Sequence, residues 1–321
     1  MNRLWVHLYN LSTRAALKSS KFAAEIISHT ATMGKKILFV VNPIAGGRDK
    51  TSAIKRIKSW AQSSGHSSEI IETTGNDDEK KIREALKTLQ PEMLVAVGGD
   101  GTVLLCAGLV KDTDIALGLI PSGSANGMCT ELNIPPHIDD ALEIIEQGKT
   151  KSIDMLLFND NHLAMHISDI GLNANLVKQF EESESRGFLG YAKGVIGELV
   201  NKQPFGVELT LDGKKVQKEG YMVAFANAAR YGTGAKLNSM GKIDDGLFEV
   251  CILTEVNLAG IAGQFFDFVD SDSSHLEVHQ VKELEVKVNR NVSFQIDGEL
   301  QKDTNHLKVK LCSKCLTVIT P

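Results

Sequence analysis

The chain has no excess of positive charge, no bilayer-length apolar run, no framework of paired cysteines and no internal repeat. Each absence closes off a class of protein. With 35 Lys and Arg against 40 Asp and Glu, the net charge of −5 offers no basic face of the kind that nucleic-acid binding needs. No uninterrupted apolar stretch reaches the length of a spanning helix, so any chemistry on lipid would be done from the membrane surface. The five cysteines, Cys106, Cys129, Cys251, Cys312 and Cys315, suit a reducing cytoplasm rather than a secreted disulfide scaffold. Cys312-Ser-Lys-Cys315 has zinc-ligand spacing but no second pair to complete four ligands. Lying between LKVKL and LTVIT, it reads instead as a hairpin or strand-edge pair. His275 and His279 are four apart, but the strand-like VHQVKELEVKV argues against a helical metal pair.

What is present is a chain of two rhythms, long enough at 321 residues for two domains. Residues 1–34 are expected to be a disordered extension or a start assigned too early, because Met33-Gly34-Lys35-Lys36 directly precedes the first credible strand, ILFVV. Their basic, hydroxyl-rich composition also resembles a transit peptide or a membrane-surface helix. Over residues 35–150 strand-like and helix-like segments alternate, which predicts a doubly wound parallel sheet with ligands at the carboxyl ends of its strands. Over residues 151–321 hairpin signals take over, among them IDMLLF-NDN-HLAMHIS and VELTL-DG-KKVQKEG, with helical patterns at 187–200 and 257–269. This half is expected to be a mostly antiparallel, β-sandwich-like domain, its final segment free to return to the first. No Pro/Ser linker separates the halves, so a cleft between them is expected.

The most informative string is Gly98-Gly99-Asp100-Gly101-Thr102, between the apolar run MLVAV and an apolar helix-like stretch. Glycines let the backbone approach an anion, whereas Asp100 would repel a phosphate unless a cation stood between them. The string therefore points to a nucleotide with magnesium. Three more loops follow strands: Asn42-Pro43-Ile44-Ala45-Gly46-Gly47-Arg48, Thr73-Thr74-Gly75, and Pro121-Ser122-Gly123-Ser124-Ala125-Asn126-Gly127. Arg48 or Lys50 could neutralise phosphate charge, and the Thr pair could equally cap the following helix. In the second half, Ile243-Asp244-Asp245-Gly246-Leu247 and Phe294-Gln295-Ile296-Asp297-Gly298-Glu299 stand out. Asp-Gly marks ordinary turns, but a phosphotransferase also needs a carboxylate beside the acceptor hydroxyl.

The strings NPIAGG, GGDGT, PSGSANGM, IDDGLFEV and IDGE, in this order from about Lys35 to the C-terminus, resemble the diacylglycerol-kinase catalytic family of lipid kinases, which includes bacterial YegS-like enzymes and sphingosine kinases. GGDGT alone is shared with NAD kinases and phosphofructokinases. The resemblance implies ATP and Mg²⁺ as cofactors, a membrane-lipid acceptor (diacylglycerol, a long-chain base or a related lipid), and peripheral association with a membrane from the cytoplasm. A homodimer is compatible with it. By the motif matches, Asn42, Gly46, Thr73, Val97, Gly98, Gly99, Asp100, Gly101, Thr102, Val103 and Ser124 would bind nucleotide. Glu299 would be the general base, with Asp100 the runner-up, and Lys242, Asp245 and Leu247 would hold a structural magnesium. Asn126, Asn173 and Asn175 are candidate substrate residues. Ala45 replaces the usual Ser of the first motif, and Gly127 stands where many bacterial members have Asp. Asn173 and Asn175 replace a lipid-side acid, so the identity of the lipid stays open. The alternatives are an NAD-kinase-like phosphotransferase and a non-catalytic nucleotide- or lipid-binding regulator.

Overall fold

KILFVV forms β1 (Lys36–Val41), with every residue after Lys36 buried, as expected of a parallel strand covered on both faces. The computed structural model describes residues 34–47, 49–171, 203–228, 241–255 and 276–321. In the first half β1 is followed by α1 (Thr51–Ser63), β2 (Ser67–Glu72), α2 (Asp78–Leu89), β3 (Met93–Gly98), α3 (Asp100–Val110), β4 (Ala116–Pro121), α4 (Gly127–Glu131) and α5 (Ile138–Gln147). The four strands are parallel, in the spatial order β2-β1-β3-β4. Helix α3 lacks a polar face because it lies inside, with Val103, Cys106, Ala107, Leu109 and Val110 all buried. Only Gly99 separates it from β3, so GGDGT is the strand-to-helix turn at the carboxyl edge.

The second half is antiparallel. Its strands are β5 (Thr150–Phe158), β6 (His162–Ala164), β7 (Ile167–Ile170), β8 (Phe205–Leu211), β9 (Lys214–Gly220), β10 (Met222–Ala226), β11 (Phe248–Leu253), β12 (Leu276–Val281), β13 (Glu283–Val292), β14 (Phe294–Ile296), β15 (Glu299–Leu300) and β16 (Thr304–Ile319). One sheet runs β12-β11-β10-β7-β14-β15. It packs on β5, β8 and β13 through a core that includes Phe158, Phe225 and Phe294, with ring centroids 5.6 Å apart for both Phe158 pairs. Two hairpins have the two-residue turns that Asp-Gly favours, with both residues at positive φ: Asp212-Gly213 (45° and 84°) and Asp297-Gly298 (46° and 88°).

The fold class is as expected: a parallel-sheet α/β half followed by an antiparallel, β-sandwich-like half. The last strand joins them. β16 pairs with β13 at its start and runs parallel to β4 at its end, and β5 flanks it over most of its length. That corrects the hairpin reading of LKVKL-CSKC-LTVIT. The two runs are one strand, because β5 pairs with both and absorbs Ser313-Lys314-Cys315 as a bulge opposite Asp154. The helical patterns at 187–200 and 257–269, along with His275, lie outside the described residues.

Candidate active site

Three of the expected loops meet at the carboxyl edge of the parallel sheet, and backbone-to-backbone packing at glycine brings them together. A Cβ on Gly123 would collide with the Gly99 Cα, and a Cβ on Gly46 would sit 2.8 Å from the Ser122 carbonyl oxygen. Only glycine allows these approaches, and Gly46 also sits at a φ of 62°. A Cβ on Gly98 would collide with the Thr102 side chain, which folds back over it. Asn42 completes the weave: its N–H donates to the Val97 carbonyl at 2.9 Å and its Nδ2 donates to Thr102 Oγ1 at 3.4 Å. Val97 and Val103 are core residues, so only their backbone can face a ligand. Thr73 is tied to β1 by its N–H, 2.8 Å from the Val41 carbonyl, and is half-buried at the rim. Ser124 is exposed on the loop after β4.

Several side chains have settled partners. Asp100 accepts the Gly127 N–H on Oδ2 at 3.0 Å and the Met128 N–H on Oδ1 at 3.1 Å, so its carboxylate caps α4. Asn126 is committed to its own loop, accepting the Gly123 N–H at 2.8 Å and donating to the Gly123 carbonyl at 3.0 Å. Lys50 is buried and donates to the Ala45 carbonyl at 2.6 Å, bracing the first loop from beneath. Arg48 lies outside the described residues. At Thr73-Thr74-Gly75 the capping runs the other way from the expectation. The Asp78 carboxylate of α2 accepts the N–H groups of Thr74 and Gly75, because the preceding Asp77 is left-handed and makes no side-chain cap.

The second half contributes from across the gap. IDGE is the Asp297-Gly298 hairpin corner, and it also reaches the site: Glu299 Oε1 lies 3.6 Å from where a Cβ on Gly101 would stand. Glu299 is exposed, and its carboxylate has no hydrogen-bond or ion-pair partner among the described residues. Asp297 behaves in the opposite way. It accepts the N–H groups of Met165 at 2.7 Å and His166 at 3.0 Å, between β6 and β7. Burial pushes its carboxyl up to about 7; the two amides oppose that rise, while Asp100 and Glu299 add to it. Buried Gln295 braces the corner, donating to Asp169 and accepting the Gly298 N–H at 2.6 Å.

His166 is the site residue that sequence reasoning missed, along with Asp297 as an anchor. Burial pushes its imidazole down to about 4, with Asp100 pulling the other way, so the ring is neutral near pH 7. Among the described residues its Nε2 has no hydrogen-bond partner, and neither do the buried atoms Ser122 Oγ and Asn227 Oδ1. The signal was a polar residue inside the apolar string AMHI. The orphaned Ser122 hydroxyl, beside the Gly46 and Gly123 cradle, fits a phosphate-bearing ligand.

Lys242, Asp245 and Leu247 lie together on a separate loop before β11. Buried Asp154 pins this loop, accepting the Gly246 N–H on Oδ2 at 2.8 Å and the Lys314 N–H on Oδ1 at 2.6 Å. Asp245 Oδ1 accepts the Leu247 N–H at 3.1 Å. One carboxylate and backbone carbonyls are hard oxygen donors and fit magnesium in kind. No cluster of three His, Cys, Asp or Glu side chains suited to a metal occurs among the described residues. Asn173 and Asn175 lie outside the described residues.

Comparison with known proteins agrees with this architecture. Residues 36–158 match the diacylglycerol kinase catalytic domain, and residues 167–320 match the YegS C-terminal NAD kinase β-sandwich-like domain. The chain belongs to the diacylglycerol kinase catalytic-domain family, in its YegS-like branch of lipid kinases. Among curated relatives it is 26% identical to an uncharacterized Synechocystis protein over 98% of this chain and 76% of the relative. It is 24% identical to a Pectobacterium atrosepticum protein named a probable lipid kinase YegS-like, over 82% of this chain and 88% of that one. A crystal structure of a diacylglycerol kinase from Bacillus anthracis superimposes with a TM-score of 0.70 at 20% identity, covering 90% of this chain and 98% of that one. The family is one of ATP-using phosphotransferases.

Proposed function

We propose that the chain is an ATP-dependent lipid kinase that moves the γ-phosphoryl group to a hydroxyl of a membrane lipid, working from the cytoplasmic face of the membrane. In this reading residues 35–150 hold the nucleotide and residues 151–321 present the lipid. The observation that carries it is the position of Glu299, a carboxylate from the second half with no partner among the described residues, beside Gly101 at the N-terminus of α3. The loops at Gly46, Gly98–Thr102 and Gly123 would cradle the phosphates through their backbone, and Ser122 Oγ would find an acceptor there. Glu299 would take the proton from the attacking hydroxyl. Asp100 would act mainly through α4, holding the loop after β4 in place, and neutral His166 would offer its Nε2 to the acceptor side. Bound Mg²⁺ would neutralise charge on the triphosphate, and a second ion would stiffen the Lys242–Leu247 loop.

A soluble-dinucleotide kinase is the second reading, favoured by the NAD kinase-like description of the second family match. One experiment separates the two. The protein is incubated with radiolabelled ATP and either a total lipid extract or NAD, and labelled products are identified by mass spectrometry. Label in an organic-soluble phospholipid is expected. Label confined to the dinucleotide, or no transfer to either acceptor, would overturn the lipid-kinase reading.

A further inference from the structure

Three of the five cysteines, Cys106, Cys129 and Cys251, are buried, and burial raises their thiol pKa values, to about 12 for Cys106 and Cys129. Cys312 and Cys315 differ: both are half-buried, and they flank exposed Ser313 and Lys314 in the bulge of β16. Cys312 pairs with Met155 and Leu316 with Ile153, so Ser313, Lys314 and Cys315 all stand opposite Asp154 alone. Lys314 takes a φ of 49°, and its N–H is held by Asp154. The bulge turns the chain at Lys314, so Cys312 and Cys315 stand at its two ends, near enough for each thiol to shift the other. The Cys315 carbonyl accepts the Asp112 N–H at 2.7 Å, which docks the end of α3 and sets the Lys111 ammonium beside both sulfurs. The Cys315 hydrogen bond, helped by Lys111, brings the Cys312 thiol down to about 7, while Cys315 is raised. A nucleophilic thiolate thus sits beside a resolving thiol. Among the described residues no third His, Cys, Asp or Glu joins the pair in a cluster suited to a metal.

We propose that Cys312 and Cys315 form a reversible dithiol–disulfide site, closed by hydroperoxides and reopened by dithiol reductants. The Cys312 thiolate attacks a peroxide oxygen; the O–O bond breaks, hydroxide leaves and Cys312 becomes a sulfenic acid. The Cys315 sulfur then attacks the Cys312 sulfur, forming the S–S bond, and the sulfenic oxygen leaves as water with the Cys315 proton. The hydroxide takes up the proton that Cys312 had released, so two thiols are oxidised and one peroxide becomes two waters. The consequence reaches the Lys242–Leu247 loop. Asp154 holds Lys314 of the bulge with one oxygen and Gly246 of the Lys242–Leu247 loop with the other. Closing the disulfide reshapes the frame on which that loop rests.

The test uses the reduced full-length protein treated with one equivalent of hydrogen peroxide, then alkylated, digested and weighed. The expected result is a peptide containing both Cys312 and Cys315 that has lost two hydrogens, resists alkylation and is restored by dithiothreitol, while Cys106, Cys129 and Cys251 stay thiols. Before oxidation, iodoacetamide at pH 7 should label Cys312 about tenfold faster than Cys315, the thiolate being the reactive form, and Lys111→Met should slow that labelling. In Cys315→Ser a sulfenic acid should accumulate on Cys312 and be trapped by dimedone. Faster exchange of the Gly246 amide in one redox state would follow from the shared Asp154. Separate alkylation of Cys312 and Cys315 after peroxide, or oxidation spread evenly over all five cysteines, would overturn the proposal.

Discussion

The two sides of the candidate active site are built on opposite principles. On the side of the parallel sheet, loops approach one another through glycine, with backbone against backbone at Gly46, Gly99 and Gly123. On the β-sandwich side, buried polar side chains hold the loops: Asp297 takes two amides, Gln295 spans the hairpin, and Asp154 pins the loop before β11. Glycine packing leaves backbone N–H groups and a helix end facing a ligand, which suits phosphate. Side-chain anchoring holds a carboxylate-bearing hairpin still while leaving Glu299 itself unbonded. The same contrast separates the two acids proposed for catalysis. Asp100 is a capping group with both oxygens engaged, whereas Glu299 has neither engaged by described residues.

If that contrast is right, Glu299→Gln should have the largest effect. Turnover should fall about 10²- to 10⁴-fold, the range for loss of a general base, with nucleotide affinity and melting temperature unchanged, read by steady-state kinetics, ATP titration and calorimetry. Next in size is Asp154→Asn. An amide cannot accept both the Gly246 and Lys314 N–H groups, and leaving one of these part-buried donors unmet costs about 1 kcal/mol, visible as a lower denaturant midpoint. Asp100→Asn should cost no more than about 1 kcal/mol by the same reasoning at the end of α4, and it should weaken ATP binding as the loop after β4 loosens.

The smallest effect in the native protein is the pH dependence of its stability, because two opposing shifts largely cancel there. Asp297 is raised to about 7, so the folded state holds its proton where the unfolded chain has lost it, and this contribution is lost as pH rises from about 4 through 7. His166 is lowered to about 4, so the unfolded chain binds a proton where the folded one does not; this contribution is present above about 6.5 and lost as pH falls towards 4. The two slopes oppose each other between pH 4 and 6.5. Asp297→Asn should therefore make stability rise with pH across that window, and His166→Gln should make it fall, both read from urea melts at several pH values.

The glycine side could be read from the sequence and the polar side mostly could not. βαβ alternation and strand-end glycine strings put Asn42, Gly46, GGDGT and Gly123 on loops at the ends of parallel strands, where the structure has them, because backbone chemistry is local and announced by residue type. IDGE was visible as a turn, but its approach to Gly101 depends on how β14 and β15 join the sheet, a long-range fact. Asp154 and His166 were each a polar residue inside an apolar string, a pattern that marks a buried group without naming its partner, and Asp297 read only as the Asp of an Asp-Gly turn. Reading CSKC as a hairpin failed for the same kind of reason. A bulge in one long strand and a turn between two short ones have the same local composition, and only the length of β5 decides between them.

The most direct measurement sets Glu299→Gln beside Asp100→Asn and follows two quantities on each, the single-turnover rate of phosphoryl transfer from saturating ATP to lipid and the unfolding midpoint. The expected pattern is crossed. Glu299→Gln should lose transfer by at least about a hundredfold at the wild-type midpoint, while Asp100→Asn should lose stability and keep measurable transfer once ATP saturates it. Wild-type transfer in Glu299→Gln, with transfer abolished in a fully stable Asp100→Asn, would contradict the assignment of the two carboxylates.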